Sequence, residues 1–255
     1  MATAVPPELE YLLKRSGRIA LALSGGADSA YLMYAAVSCG TYIKSYIVSS
    51  QFQKPEDTER AFGYVSGMGC PAEVLRLNIL SDIVISSNPP NRCYLCKRKM
   101  FAAIRNAAER DGRALLMDAT NASDDPAERP GMKALKEMGV VSPLSECGIP
   151  KSDIRRLSKE AGLPTWNMPS DSCLATRIPY GTRITSDDLT RTSDAEAELS
   201  RLGLSDFRVR TIGNTARLET VAEQDGCVAD IRDGIERILL KYYDNVTYGR
   251  RDAGH

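Results

Sequence analysis

The stretch RIALALSGGADSAYLMYAAVS, Arg18 to Ser38, decides the fold. It opens with an apolar run of strand length that stops at two glycines, and SAYLMYAAVS continues as an apolar helix opening directly from the loop. A strand that feeds a glycine-rich turn into a helix aims the helix's unpaired N–H groups at whatever lies ahead, and the helix dipole favours an anion there. The lysine of a Walker loop is missing, because Ala27 and Asp28 follow the glycines. Gly25 and Gly26 allow close backbone approach and Ser24 and Ser29 offer hydroxyls, while Asp28 suits a magnesium ion held beside a phosphate.

Outward from this loop the same alternation continues. TYIKSYIVSS, AEVLRLNI and RALLMDATN read as strands, and KPEDTERAFGYVSGMG and YLCKRKMFAAIRNAAERDG as helices. This order predicts an α/β fold, a Rossmann-like parallel sheet covered by helices on both faces. The character changes near Trp166, the only tryptophan, which is read as packing at a seam. WNMPSDSCLATRIPYGTRIT is a long loop punctuated by Pro169, Pro179 and Gly181, suited to covering a site. Beyond it come a helix (SDDLTRTSDAEAELSRLG), two strands (DFRVRTIG and TARLETV), a last helix (VADIRDGIERILLKYYD) and a strand (NVTYGR). The expected organisation is two domains, 1–165 around the loop and 166–255 as a smaller α+β domain for substrate or oligomerisation.

Lys+Arg and Asp+Glu both total 33, so no basic face for coating nucleic acid is expected. No apolar segment reaches the roughly 20 residues that span a bilayer, and MATAVPPELEYLL lacks the pattern of a secretory signal. The expectation is a soluble cytoplasmic protein. His255, the last residue, is the only histidine, which disfavours Ser-His-Asp and Cys-His mechanisms. Cys39, Cys70, Cys147 and Cys227 read as small hydrophobes. Cys93 and Cys96 form a C-x-x-C, which with a distant third cysteine can ligate three irons of a [4Fe-4S] cluster. A structural zinc site, a thioredoxin-like pair and two ordinary thiols stay open, although zinc would want a further ligand and no histidine is at hand.

The pattern SGG-x-DS, carried by Ser24, Gly25, Gly26, Asp28 and Ser29, is similar to the PP-loop of the ATP pyrophosphatase superfamily. There the loop grips pyrophosphate, and ATP is cut between its α and β phosphates. A longer segment, DATNASDDPAERPGMKALKEMGVVSPLSECGIPKSDIRRLSKEAGLPTWNMPSDSCLATRIPYGTRIT (Asp118 to Thr185), resembles the LarE sulfur transferases of nickel-pincer nucleotide biosynthesis. The match extends through the PP-loop and FRVR near the C-terminus, and departs at Ala119 and Ser123, where the family usually has glycine and aspartate.

The resemblance implies adenylation of a carboxylate of pyridinium-3,5-dicarboxylate mononucleotide and its conversion to a thiocarboxylate, with ATP and Mg2+. In one branch the sulfur is taken from a single cysteine that becomes dehydroalanine, and Cys173 occupies that position. In the other a [4Fe-4S] cluster, here on Cys93, Cys96 and Cys173, binds sulfide from a separate donor. The resemblance puts Thr120, Asn121 and Asp124 near nucleotide and substrate, while Arg177, close after Cys173, and Arg183, just beyond it, are each suited to hold a substrate phosphate, a solvated surface arginine being the alternative. It makes Cys173, Asp28 and Arg177 catalytic, and lines a substrate or anion region with Glu196, Arg208, Arg210 and Glu219. The alternation of RVR suits the wet face of an edge strand equally well. A homo-oligomer built on trimers, such as a hexamer, is also implied. Rival readings are a cluster-dependent tRNA thiolase, which normally brings an RNA-binding module or basic face, and a zinc-stabilised nucleotide-binding protein.

Overall fold

A computed structural model describes residues 5–112, 115–127, 129–169 and 171–251. Arg113 and Ala114 of the expected RALLMDATN strand, Ser170 of the long loop, and His255 lie outside the described residues. In chain order the elements begin with helix α1 (Pro7–Arg15), strand β1 (Arg18–Ala22), α2 (Ala27–Ser38), β2 (Tyr42–Ser50), α3 (Pro55–Gly67) and β3 (Ala72–Leu77). The single turn α4 (Ile83–Ser86), α5 (Arg92–Arg110), β4 (Leu115–Met117), α6 (Pro130–Glu137), the single turn α7 (Pro143–Glu146) and α8 (Lys151–Glu160) follow. After a 3-10 turn at Leu174–Arg177 come α9 (Ser186–Arg201), β5 (Phe207–Ile212), β6 (Thr215–Thr220), α10 (Asp225–Asp230), α11 (Arg232–Leu239) and β7 (Asn245–Arg250).

The chain forms two compact units. The first comprises Met1–Ser50, Pro55–Leu77 and Asn91–Met168. Its sheet runs β3-β2-β1-β4 with every pairing parallel. Period-two alternation sorts its side chains. Ile19 and Leu21 enter a core with Leu9 of α1, Tyr31 of α2, Ala61 of α3 and Ile154 of α8. Ala20 and Leu116 point the other way, to Phe101 and Ile104 of α5 and Leu135 of α6. Helices on both faces make this the α/β architecture read from the sequence. The first three strands step outward from β1 and β4 lies on its other side, so the C-terminal ends of β1 and β4 flank a topological switch point, where open α/β sheets bind ligands.

β4 ends at Met117, before the DATN of RALLMDATN. Past Met117 the polar residues turn away and bond locally, with Asp118 accepting hydroxyls from Thr120 at 2.5 Å and Ser142 at 2.6 Å.

The second unit comprises Gln51–Lys54, Asn78–Pro90 and Pro169–His255. Its three-stranded sheet β5-β6-β7 is mixed, with β5 antiparallel and β7 parallel to β6. Ala195 and Leu199 of α9 and Ile235 and Leu239 of α11 bury Val209, Ala216 and Leu218. VADIRDGIERILLKYYD is not one helix as expected, because α10 ends at Asp230 and Ile231 leaves helical geometry at φ −113°, ψ 17°. Asp230, Asp233 and Gly234 are weak helix formers clustered at that point. Among the described residues no helix is long and apolar enough to cross a membrane.

α8 buries Ile154 and Leu157 and holds its N-terminus in place through them. Ile154→Ala should cost about 2–5 kcal/mol in urea unfolding. A loss below about 1 kcal/mol would show that α8 is not anchored by its apolar stripe.

Candidate functional site

In the first unit, β1 hands over to α2 through a turn that only glycine can make. Gly25 has φ +82°, and a Cβ there would lie 2.5 Å from the Asp57 carbonyl oxygen and 3.3 Å from Ala61 Cβ on α3. Arg60, also on α3, donates from Nε to the Gly25 carbonyl at 3.0 Å and pairs with Asp57. The Ser29 hydroxyl closes the turn from inside, lying 3.1 Å from Ser24 Oγ, accepting from the Ser24 N–H at 3.3 Å and donating to the Gly26 carbonyl at 3.1 Å. Ser24 is exposed, and Gly26 is the N-cap of α2. The first N–H groups of α2 therefore open from a turn held by these bonds, with no intrahelical partner by the geometry of the helix.

Two further segments converge on Asp28. Asn121, buried in the loop after β4, donates from Nδ2 to Asp28 Oδ2 at 3.2 Å. Lys151, the first residue of α8, places Nζ 2.5 Å from Asp28 Oδ1. Of the other sequence-chosen residues here, Thr120 spends its hydroxyl on Asp118. Asp124 caps the loop by accepting the Asn121 N–H at 3.0 Å and pairs with Arg129 at 2.8 Å. Sequence reasoning missed Lys151 and Arg60, and one available signal was that KSDIRRLSKE puts a lysine at the positive end of a helix, against the usual preference.

The second unit holds a different constellation around Cys173. Arg177 is fully buried and every nitrogen of its guanidinium is engaged. Nε donates to Glu196 Oε1 at 2.8 Å, and Nη2 to Asp171 at 2.8 Å and Glu196 Oε2 at 3.1 Å. Nη1 donates to the Ser172 carbonyl at 2.8 Å, the Ser172 hydroxyl at 2.9 Å and the Thr176 hydroxyl at 3.1 Å. Lys54 bridges Asp171 and Glu196, both at 2.8 Å. Cys173, half-buried, caps the 3-10 turn, and its carbonyl accepts the Thr176 N–H at 2.9 Å. Arg177 thus clamps the residues on both sides of Cys173, with its charge answered by protein carboxylates.

Burial opposes ionisation of Glu196, but the Arg177 guanidinium and then Lys54 hold its pKa below the ordinary value. Asp171 is likewise lowered against burial by Arg177 and Lys54. Arg208 lies on β5 beside this group and is pushed down to about 10, first by burial and then by Arg251, Arg177 and Arg210. It is buried, so β5 does not present a wet face at this position. Arg210 donates from Nε to Glu219 at 2.8 Å and from Nη1 to the Thr176 carbonyl. Arg183 is exposed. Trp166, in the first unit, is half-exposed with the Lys159 ammonium 4.7 Å from its ring centroid.

Cys93 and Cys96 stand one helical turn apart at the start of α5, in the first unit. Arg92 Nη2 lies 3.8 Å from Cys93 Sγ, and Cys96 Sγ lies 3.6 Å from Met100 Sδ. Among the described residues no cysteine is in a disulfide, and no group of three or more His, Cys, Asp or Glu is gathered to hold a metal ion. The geometry offers the C-x-x-C pair as two ligands on one helix face.

No family model matches the chain. An uncharacterised protein of Synechocystis is 36% identical over 208 residues, covering 81% of this chain and 78% of its own length. The pyridinium-3,5-bisthiocarboxylic acid mononucleotide synthase of Lactiplantibacillus plantarum is 30% identical over 229 residues, covering 89% of this chain and 83% of its own. An uncharacterised protein of Methanocaldococcus jannaschii is 31% identical over 170 residues, 67% of this chain and 65% of its own.

Gly25→Ala should cost about 2–4 kcal/mol from left-handed strain and overpacking against α3, read as a lower urea midpoint. An unchanged midpoint would refute the turn geometry. The Glu196 cluster predicts an acid-sensitive fold. Above about pH 6 the carboxylates are ionised in both folded and unfolded chains, so their contribution is full and flat. Below about pH 4.5 the unfolded chain takes up protons first, and the contribution is lost as pH falls toward the depressed folded values. Glu196→Gln should be less stable at pH 7 and should flatten the acid limb of the unfolding midpoint between pH 7 and pH 3.5. A limb as steep as that of the unsubstituted chain would remove Glu196 from the cause.

Proposed function

This chain belongs to the LarE family, and on that premise we propose that it is an ATP-dependent sulfur transferase acting on a pyridinium dicarboxylate mononucleotide. A carboxylate oxygen attacks the α phosphorus of ATP, pyrophosphate leaves, and the acyl adenylate then accepts sulfur with release of AMP to give a thiocarboxylate. A free carboxylate resists a sulfur nucleophile, whereas its mixed anhydride with AMP has a good leaving group. The observation that carries the reading is the SGGADS turn at the switch point of β1 and β4, with Asn121 and Lys151 converging on Asp28. The loop N–H groups with Ser24 and Ser29 would grip the pyrophosphate end of ATP. Asp28 suits Mg2+, which takes one or two carboxylates together with substrate phosphates. Asp28 takes one hydrogen bond on each oxygen, from Lys151 on Oδ1 and Asn121 on Oδ2, so a metal held there would share the carboxylate with Lys151 or displace it.

Arg177 acts through position in this reading, holding Ser172 and Thr176 so that Cys173 is presented at a fixed turn. Arg183, Arg208, Arg210 and Glu219 are the remaining polar groups of the second unit that the family reading assigns to substrate. For the sulfur we propose that Cys93, Cys96 and Cys173 would hold a [4Fe-4S] cluster, whose open iron supplies bound sulfide when present. The sequence pattern supports this ligand set, and the spacing of Cys93 and Cys96 one turn apart on α5 supports its first two members.

Pyrophosphate and AMP should form from ATP only when the mononucleotide carboxylate is supplied, and Asp28→Asn should abolish both. Equal pyrophosphate release by the variant would remove Asp28 from the reaction. Anaerobic iron and sulfide analysis tests the cluster: each of Cys93→Ala, Cys96→Ala and Cys173→Ala should lower the content of about four irons. A loss of about 34 Da from the intact protein on turnover, the mass of one hydrogen sulfide molecule, would instead make Cys173 the sulfur source.

A further inference from the structure

The loop at Ser24–Ser29 contains no cation of its own, yet one is delivered to it from a distant part of the chain. Lys151 reaches Asp28 across a sequence separation of 123 residues, with Nζ 2.5 Å from Oδ1 and a quarter of its side chain exposed. Its position is electrostatically awkward. It opens α8, where the unpaired N–H groups of the helix carry positive partial charge and acidic residues are preferred. Pro150 supplies no side-chain cap, and the Lys151 N–H is satisfied from outside the helix by Ser123 Oγ at 3.0 Å. A cation kept where local preference opposes it marks a place where local rules yield to function. Asp28 is held from its other side by Asn121 at 3.2 Å, so the carboxylate is oriented and the ammonium is its movable partner.

We propose that Lys151 is the phosphate-binding cation of this loop, which pairs with Asp28 while the loop is empty and transfers to the pyrophosphate end of a nucleoside triphosphate when one binds. The inference rests on the reading of the loop as an ATP site. Transfer frees Asp28 for the metal, so one exchange of partners answers both charges. A primary ammonium on a flexible stem can make this swing, and lysine serves phosphate as a point charge without a fixed fork geometry. Arg60 has a different part. Its guanidinium is tied to the Gly25 carbonyl and to Asp57, where it fixes the turn.

The test is equilibrium binding of Mg·ATP, inorganic pyrophosphate with Mg2+, and adenosine to the full chain and to its Lys151→Gln and Lys151→Arg variants. Lys151→Gln should weaken ATP and pyrophosphate about 10- to 100-fold, the range for losing a charge-assisted hydrogen bond. It should leave adenosine within about twofold, and Lys151→Arg should recover most of the loss. In the unsubstituted protein, amine acylation followed by peptide mass mapping should find Lys151 protected by magnesium pyrophosphate and not by adenosine. ATP affinity within about twofold in Lys151→Gln, with Lys151 equally reactive in the presence and absence of pyrophosphate, would overturn the inference and leave the lysine a tie between α8 and the loop. Failure of the unsubstituted chain to bind ATP would overturn the reading of the loop itself, which separates the two failures.

Discussion

The left-handed turn at Gly25, pressed against α3, is the constraint on which the first unit depends. The Asp57 carbonyl and Ala61 leave no room for a side chain, and Arg60 bonds the Gly25 carbonyl from the same helix. The path from β1 into α2 is therefore fixed from outside as well as by its own hydroxyl bonds. Once it is fixed, the first turn of α2 faces the switch point beside β4, and Asp28 stands where the loop after β4 and the start of α8 can both reach it. The form of this loop is thus a property of packing around one glycine, more than of the loop sequence alone.

Charge is handled similarly in both units. Asp28 and Lys151 neutralise one another at the loop, and Arg177, Glu196, Asp171 and Lys54 do so around Cys173. Removing one partner from a buried pair of the second kind costs about 3–5 kcal/mol, because the survivor is left unanswered. Such a group is poorly suited to moving and well suited to holding a short turn in one conformation. The Asp28–Lys151 pair is partly exposed on both sides and can exchange partners. One pair is built to switch and the other to hold.

Much of this is legible in the sequence, and the rest is hidden for identifiable reasons. The strands and helices of the first sheet announce themselves because parallel strands buried on both faces are unbroken apolar runs, as in RIALAL. α8 is quieter, with only Ile154 and Leu157 as large apolar residues in KSDIRRLSKE. Lys151 carries one local signal, a cation at the positive end of α8, but nothing local says that its partner lies 123 residues away. Arg177 stands out for its nearness to Cys173 and invites a phosphate role, but burial of an arginine cannot be read from its neighbours in the chain. The structure commits its guanidinium to Glu196, Asp171 and the Cys173 turn. Likewise the RVR alternation fits a wet strand face, yet Arg208 is buried.

Activation of the substrate carboxylate as an acyl adenylate is the central claim. Substrate labelled with 18O in its carboxylates tests this directly, through mass analysis of the AMP and phosphate products. Attack of a carboxylate oxygen on the α phosphorus, followed by sulfur at the acyl carbon, predicts one 18O atom in the AMP for each thiocarboxylate formed. Thiocarboxylate accompanied by unlabelled AMP, or label appearing in inorganic phosphate, would contradict it.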